Sequence, residues 1–151
     1  MAWDAERLTG PDEEDWRVPV AELEERRSRL SSALAETGFE SALIDDPVEL
    51  YWLTGGRQNG MILIGAEGSD VENTHWVRKS LRRAKFESGD DNAPDPIITQ
   101  PRMRQMTDAL RSLGATSAPA MLAGKMPHDR WQYFSRSCLL YTSDAADDNT
   151  C

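Results

Sequence analysis

Cysteine is missing from the first 137 residues; the two in the chain, Cys138 and Cys151, both fall in its last fourteen positions. A closed metal site needs about four ligands, and no histidine or further cysteine lies near this pair, so a metal reading of it fails. Histidine is almost as scarce, with His75 and His128 far apart and neither in a ligand motif. A metal cluster or a hydroxyl–His–acid triad therefore has almost no material to draw on. No run approaches the ~20 apolar residues that span a bilayer. The opening MAWDAERLTGPDEEDW has no basic region followed by an apolar stretch, so it does not resemble a secretory signal. Cytoplasm, with no membrane partner, is the expected location.

What is present fits one globular domain: 151 residues, 39% hydrophobic and 28% charged. The net charge of −9 is concentrated at the ends. Residues 1–16 carry six acids against Arg7, and the tail 138–151 adds Asp144, Asp147 and Asp148, which leaves residues 17–137 close to neutral. The leader, 1–17, reads as a solvated acidic extension. The body, 18–137, reads as the domain.

Periodicity orders the body. VPVAELEERRSRLSSALAETGF is one amphipathic helix with Val20, Leu23, Leu30 and Leu34 on a stripe, Pro19 at its start and Gly38 at its stop. SALI (41–44) is a short buried strand that ends at Asp45-Asp46-Pro47. VELYWL holds a single helical turn before Thr54-Gly55-Gly56 breaks it. GMILIG (60–65) is the clearest strand, and residues 74–77 are its hairpin partner. SLRRAKFES is a helix with Leu81, Ala84 and Ser88 on one face and Ser80 as its cap. Ile97-Ile98-Thr99 is a strand, about 102–113 a helix closed by Gly114, 120–122 a short strand, and 127–135 a last helix with Trp131 and Phe134 inward. Strands alternating with helices, plus one hairpin, predict an α/β fold with a mixed sheet flanked by helices.

Two charged stretches invite functional readings. Asp45-Asp46 resembles the acidic corner of phosphoacceptor receiver domains; the plainer reading is an Asx turn leaving the strand. VRKSLRRAKF carries Arg78, Lys79, Arg82, Arg83 and Lys85 without an acid among them. Phosphate contacts would use such a helix, but a near-neutral body without a nucleic-acid motif favours a solvated face and no nucleic-acid partner.

Taken together, RSRL (27–30), GFESALIDDPVELYWLTGG (38–56), GMILIG, WVRKSLRRAKFES (76–88) and KMPHDRWQYF (125–134) resemble, in order, the amino-terminal domain of the creatinase, prolidase and Xaa-Pro aminopeptidase superfamily. Trp52 and Met126 depart from the usual pattern. The resemblance implies a parent chain with a carboxy-terminal catalytic domain. In the peptidase members that domain holds two divalent ions, commonly Mn, Co or Zn, and cleaves bonds before proline. None of its ligands lies in this sequence, so no catalytic, cofactor or metal residue is assigned here and the chain alone should be inactive. The resemblance further implies a domain that supports homo-oligomerisation and shapes access to the active site, with Tyr51, Thr54, Gly55, Gly56 and Arg57 as interface or substrate-gating residues. Equally open is the reading in which Tyr51 and Leu53 are core and the glycines only shape a turn.

Cys138–Asp147 resembles the conceptual translation of a transposase adapter used in preparing DNA sequencing libraries. On that reading residues 138–151 are not native and the domain is incomplete at its carboxy-terminal end. The alternative is a stand-alone binding or oligomerisation module that ends near Cys151.

Overall fold

A computed structural model describes residues 15–121 together with 129 and 132. Its elements run α1 (Val20–Thr37), β1 (Ser41–Ile44), α2 (Pro47–Thr54), β2 (Gly60–Gly65), β3 (Thr74–Val77), α3 (Leu81–Glu87), β4 (Ile97–Thr99) and α4 (Met106–Ser112). The four strands form one sheet in chain order, antiparallel from β1 to β3 and parallel from β3 to β4. The predicted mixed sheet flanked by helices is the fold.

SALI and GMILIG read as unbroken apolar runs because helices cover both faces of the sheet. Alternation sends Leu43, Met61, Leu63 and Trp76 to one face, where they pack with Met106 and Leu110 of α4. Ala42, Ile44, Ile62 and Ile64 point the other way, against Leu34 of α1 and Leu50 and Leu53 of α2. A third cluster, Val77, Ala84 and Ile97, seats α3 on β3 and β4.

Helix α1 stops as its sequence implies. Gly38 takes φ +81, its N–H reaches the Ala35 carbonyl at 3.4 Å, and the Phe39 N–H reaches that of Leu34 at 3.1 Å. Phe39 then packs into the cluster that holds Leu34, which completes a Schellman stop.

Three local expectations need correction. The stretch after Asp46 is two turns of helix, because Pro47 is preset for the first helical position and Asp46 caps it, its side chain accepting the Glu49 N–H at 3.2 Å. Ser80 stands where a cap would, but its backbone is left-handed (φ 58, ψ 47) and its side chain makes no capping bond. The helix foreseen from Arg102 opens with a 3₁₀ turn at Met103–Gln105, no side chain capping the α-helix that follows. At 120–122, Ala120 pairs with Ala42 of β1 in a parallel bridge, and Leu122 lies outside the described residues. Of the helix foreseen at 127–135, Asp129 and Gln132 are described and helical, whereas Trp131 and Phe134 lie outside the described residues.

Gly60 opens β2 where the sheet leaves no room for a side chain: a Cβ there would sit 1.9 Å from the Trp76 carbonyl oxygen. Gly60→Ala is expected to lower stability by roughly 2–3 kcal/mol, because backbone rather than a movable side chain must yield. Urea unfolding followed by tryptophan fluorescence reads this directly, and an unchanged midpoint would refute it.

Candidate functional site

The Tyr51–Arg57 segment is the end of α2 and the loop after it. A helix leaves its last four carbonyls without intrahelical partners, and here each finds one from a different source. Gly55, in the left-handed region at φ +70, returns its N–H to the Tyr51 carbonyl at 2.8 Å. The Arg26 guanidinium donates to Trp52 O at 2.9 Å and lies over the Trp52 ring. Arg27 donates to Leu53 O. The Ser88 hydroxyl donates to Thr54 O at 2.6 Å. Two cations of α1 thus close the negative end of the α2 dipole.

The loop is held just as closely. Thr54 is buried; its hydroxyl donates to Leu50 O at 2.7 Å and accepts the Gly56 N–H at 3.0 Å. A Cβ on Gly55 would meet the Glu87 carbonyl oxygen and Val18 at 3.3 Å, so conformation and packing both select glycine. Glu87, its side chain 8% exposed, accepts from Gln58 Nε2 at 2.9 Å and from the Arg57 N–H at 3.4 Å.

Behind the loop lies a buried ionic pair. Arg27 is 6% exposed and Asp95 8%; the arginine Nε donates to the Asp95 carboxylate while Nη1 also reaches Leu23 O at 3.3 Å. His75 sits buried in the same region. Burial first, and the Arg27 charge second, push its pKa down to about 4, so it is neutral near pH 7.

In front of the loop the surface is apolar and indented. Val48 is 71% exposed, Tyr51 42% and Trp16 57%. A groove of about 420 Å³ runs between Pro47, Val48 and Tyr51 on one side and Arg57, Gln58 and Asn59 on the other. A second, of about 260 Å³, lies among Trp16, Arg17, Tyr51, Arg57 and Glu87. Tyr51 and Arg57 stand between the two.

A family model described as the creatinase/prolidase N-terminal domain matches residues 26–135. The chain belongs to this family. Solved structures agree on the fold. A proline dipeptidase from Streptococcus agalactiae 2603V is 16% identical at a TM-score of 0.59, over 82% of this chain and 98% of that one. The N-terminal domain of the cytoplasmic peptidase PepQ from Mycobacterium tuberculosis H37Rv is 17% identical at 0.53, over 83% and 98%. A Xaa-Pro dipeptidase from Bacillus anthracis is 15% identical at 0.59, over 84% of this chain but only 35% of its own length. Curated proteins yield no match.

Within this creatinase N-terminal domain, the five candidate residues do form one feature, with divided labour. Thr54, Gly55 and Gly56 are the frame, while Tyr51 and Arg57 reach the surface. Leu53 is core at 1% exposed, as the plainer reading had it, but Tyr51 is not. Asp46, weighed as a phosphoacceptor corner, is a helix cap. The five basic residues from Arg78 to Lys85 are all exposed, as a solvated face requires.

Sequence reasoning missed Arg27, Ser88, Glu87 and Asp95, which lock the loop. One signal was present: Arg27 interrupts the apolar stripe of α1 between Leu23 and Leu30, and a charge there implies a buried partner. Among the described residues no three His, Cys, Asp or Glu side chains converge to hold a metal ion. No helix among them is long and apolar enough to cross a membrane.

Proposed function

We propose that this chain is a noncatalytic amino-terminal domain of a metal-dependent Xaa-Pro peptidase of the cytoplasm, and that its α2 face docks the catalytic domain of the same polypeptide. The observation that carries the reading is the exposed ridge of Val48 and Tyr51 on α2, with Arg57 beside it on a loop whose Gly55, Gly56 and Arg57 N–H groups are all bonded. Apolar side chains on a rigid support suit a permanent interface, since little ordering entropy is lost on docking. Support also comes from the chain's span of about a third of the Bacillus anthracis enzyme. On this reading two Mn, Co or Zn ions belong to the other domain. Tyr51 and Arg57 border its active site, with Thr54, Gly55 and Gly56 setting their position.

Purified chain supplied with Mn²⁺ is expected to leave a Gly-Pro dipeptide uncut, and metal-dependent turnover would overturn the reading. Sequencing the source DNA past the Ser137 codon should reveal a frame that continues into the catalytic domain. In that full-length enzyme, Tyr51→Ala with Arg57→Ala is expected to lower kcat/KM roughly ten- to a hundredfold through misplacement at the active site. Unchanged kinetics would remove the docking role.

A further inference from the structure

The chain enters the described structure inside the second groove. Asp15 accepts the Arg17 backbone N–H at 3.0 Å and Arg17 Nη2 at 2.7 Å. Arg17 also donates to Phe86 O at 3.3 Å and to Asp90 at 3.0 Å, its guanidinium 4.4 Å from the centroid of the Phe86 ring. Val18 follows against Gly55, where a Cβ would meet it at 3.3 Å. Arg17 and Val18 are thus pinned to α3 and to the loop after α2, and Trp16 and Arg17 line the groove together with Tyr51, Arg57 and Arg83. Whatever precedes Asp15 must leave from this groove.

What precedes it is a segment of opposite charge. Residues 1–14, outside the described residues, hold Asp4, Glu6, Asp12, Glu13 and Glu14 against Arg7 alone, with Trp3 and Leu8 among their apolar side chains. The groove wall carries exposed Arg57 and Arg83, continued along α3 by exposed Arg82 and Lys85. Asp12 is at most about 10 Å of extended chain from Asp15, which keeps Asp12, Glu13 and Glu14 at the groove that both arginines line. Just upstream, Gly10-Pro11 is a turn signal.

We propose that residues 1–14 fold back over α2 as a built-in cover. Asp12, Glu13 and Glu14 pair with Arg57 and Arg83, the Gly10-Pro11 turn redirects the chain, and Leu8 and Trp3 rest on Val48 and Tyr51 in the larger groove. The leader is then a ligand of its own domain and not the solvated extension its composition alone suggests. Exposed ion pairs are individually weak, but a segment joined directly to its groove acts at millimolar effective concentration, so a free acidic peptide competes poorly. The carboxy-terminal residues are worse placed. The chain reaches Ala120 beside β1, where it bonds to Ser41 and Leu43, whereas the groove abuts α3, which is seated on β3 and β4. The cover does not depend on the docking role proposed for α2; where both hold, it must lift before the catalytic domain can seat.

Paramagnetic broadening of amide signals tests this on the 151-residue chain, with circular dichroism to confirm folding of each variant. In a Cys138→Ser, Cys151→Ser background, a nitroxide on Ala5→Cys is expected to take at least half the intensity from the amides of Tyr51, Gly55 and Arg57. Those of α4, on the opposite face of the sheet, should be spared. Raising NaCl to ~1 M, where the Debye length falls to about 3 Å, should restore most of the lost intensity. Asp12→Lys with Glu13→Lys and Glu14→Lys should restore it at low salt. Weak broadening spread evenly over the surface overturns the proposal, as does broadening that survives the charge reversal. Broadening in a mixture of isotope-labelled chains without nitroxide and nitroxide chains without isotope would give the contact to another copy. A nitroxide on Cys151, with Cys138→Ser, that reaches these amides when the one at residue 5 does not would give it to the tail. Either result refutes the cover. Docking of the catalytic domain is read from the kinetics of the full-length enzyme, so each reading can fail without the other.

Discussion

Arg27→Met should destabilise the chain by about 3–5 kcal/mol, the cost of removing one partner from a buried ion pair. The side chains of Arg27 and Asp95 are 7% and 4% exposed, so water cannot take over the carboxylate once the guanidinium is gone. The same substitution orphans the Leu53 carbonyl, the third of the four closing groups of α2. Domains of this size are stable by only about 5–15 kcal/mol, so the variant stands near its unfolding threshold at 25 °C. Urea titration monitored by tryptophan emission measures the loss; a loss below about 1 kcal/mol would mean the pair is not buried as described. Arg27→Lys should recover only part of it, since an ammonium cannot reproduce the planar fork that serves Asp95, Leu53 and Leu23 together.

The companion experiment separates the worth of the pair from the cost of breaking it. Arg27→Met combined with Asp95→Leu removes both charges, and replacing a buried pair by apolar groups is often close to neutral. The double variant should therefore be more stable than Arg27→Met alone, a coupling that additive single effects cannot produce. It does not restore the Leu53 carbonyl, however, and the loop should report that. Exchange at the Gly55 and Gly56 amides is expected to stay fast in the double variant although global stability returns, because the strut behind Thr54–Gly56 is still missing. If Tyr51 and Arg57 need a rigid base, this is the substitution that softens it without touching the surface.

The strand limits were legible because each strand is a short apolar or β-branched run with breakers at both ends, and SALI and GMILIG cannot be read another way at that length. Helix α1 was legible from its stripe and from Gly38. Helix α2 was less so, because Leu50, Tyr51, Trp52 and Leu53 are apolar all round and periodicity cannot say which of them face water. Only the sheet decides that Leu50 and Leu53 go in while Tyr51 and Trp52 stay out. The locking residues were illegible for a different reason. Arg27 and Asp95 stand 68 positions apart, Gln58 and Glu87 29, and Thr54 and Ser88 34. Each of these pairings is made by strand order and not by local propensity. Ser80 shows the converse failure, a favourable cap residue overruled by the backbone path out of β3.

The pH dependence of stability should carry a signature of His75. Its folded pKa is about 4 against about 6.5 for an unfolded histidine, so between these values the unfolded state binds the extra proton. Stability therefore rises with pH across roughly 4 to 6.5, levels off above about 7, and bears the whole penalty below 4. The gap corresponds to on the order of 3 kcal/mol. Carboxylates held below their usual range act in the same direction but lower on the scale. Asp15 is held down chiefly by its bonds from Arg17; Glu40 is held down by bonds from Thr116 and Ser117 that outweigh its partial burial. His75→Gln keeps those and removes the imidazole, so the difference in slope between the two proteins isolates it: wild type steep from pH 4 to 6.5, variant shallow. Identical slopes would mean His75 is protonated in the folded chain. The Arg27→Met, Asp95→Leu protein supplies the last check, because it lifts the arginine's repulsion while leaving burial in place. Its histidine midpoint should move up from about 4 yet remain below 6.5, since burial is the larger of the two causes.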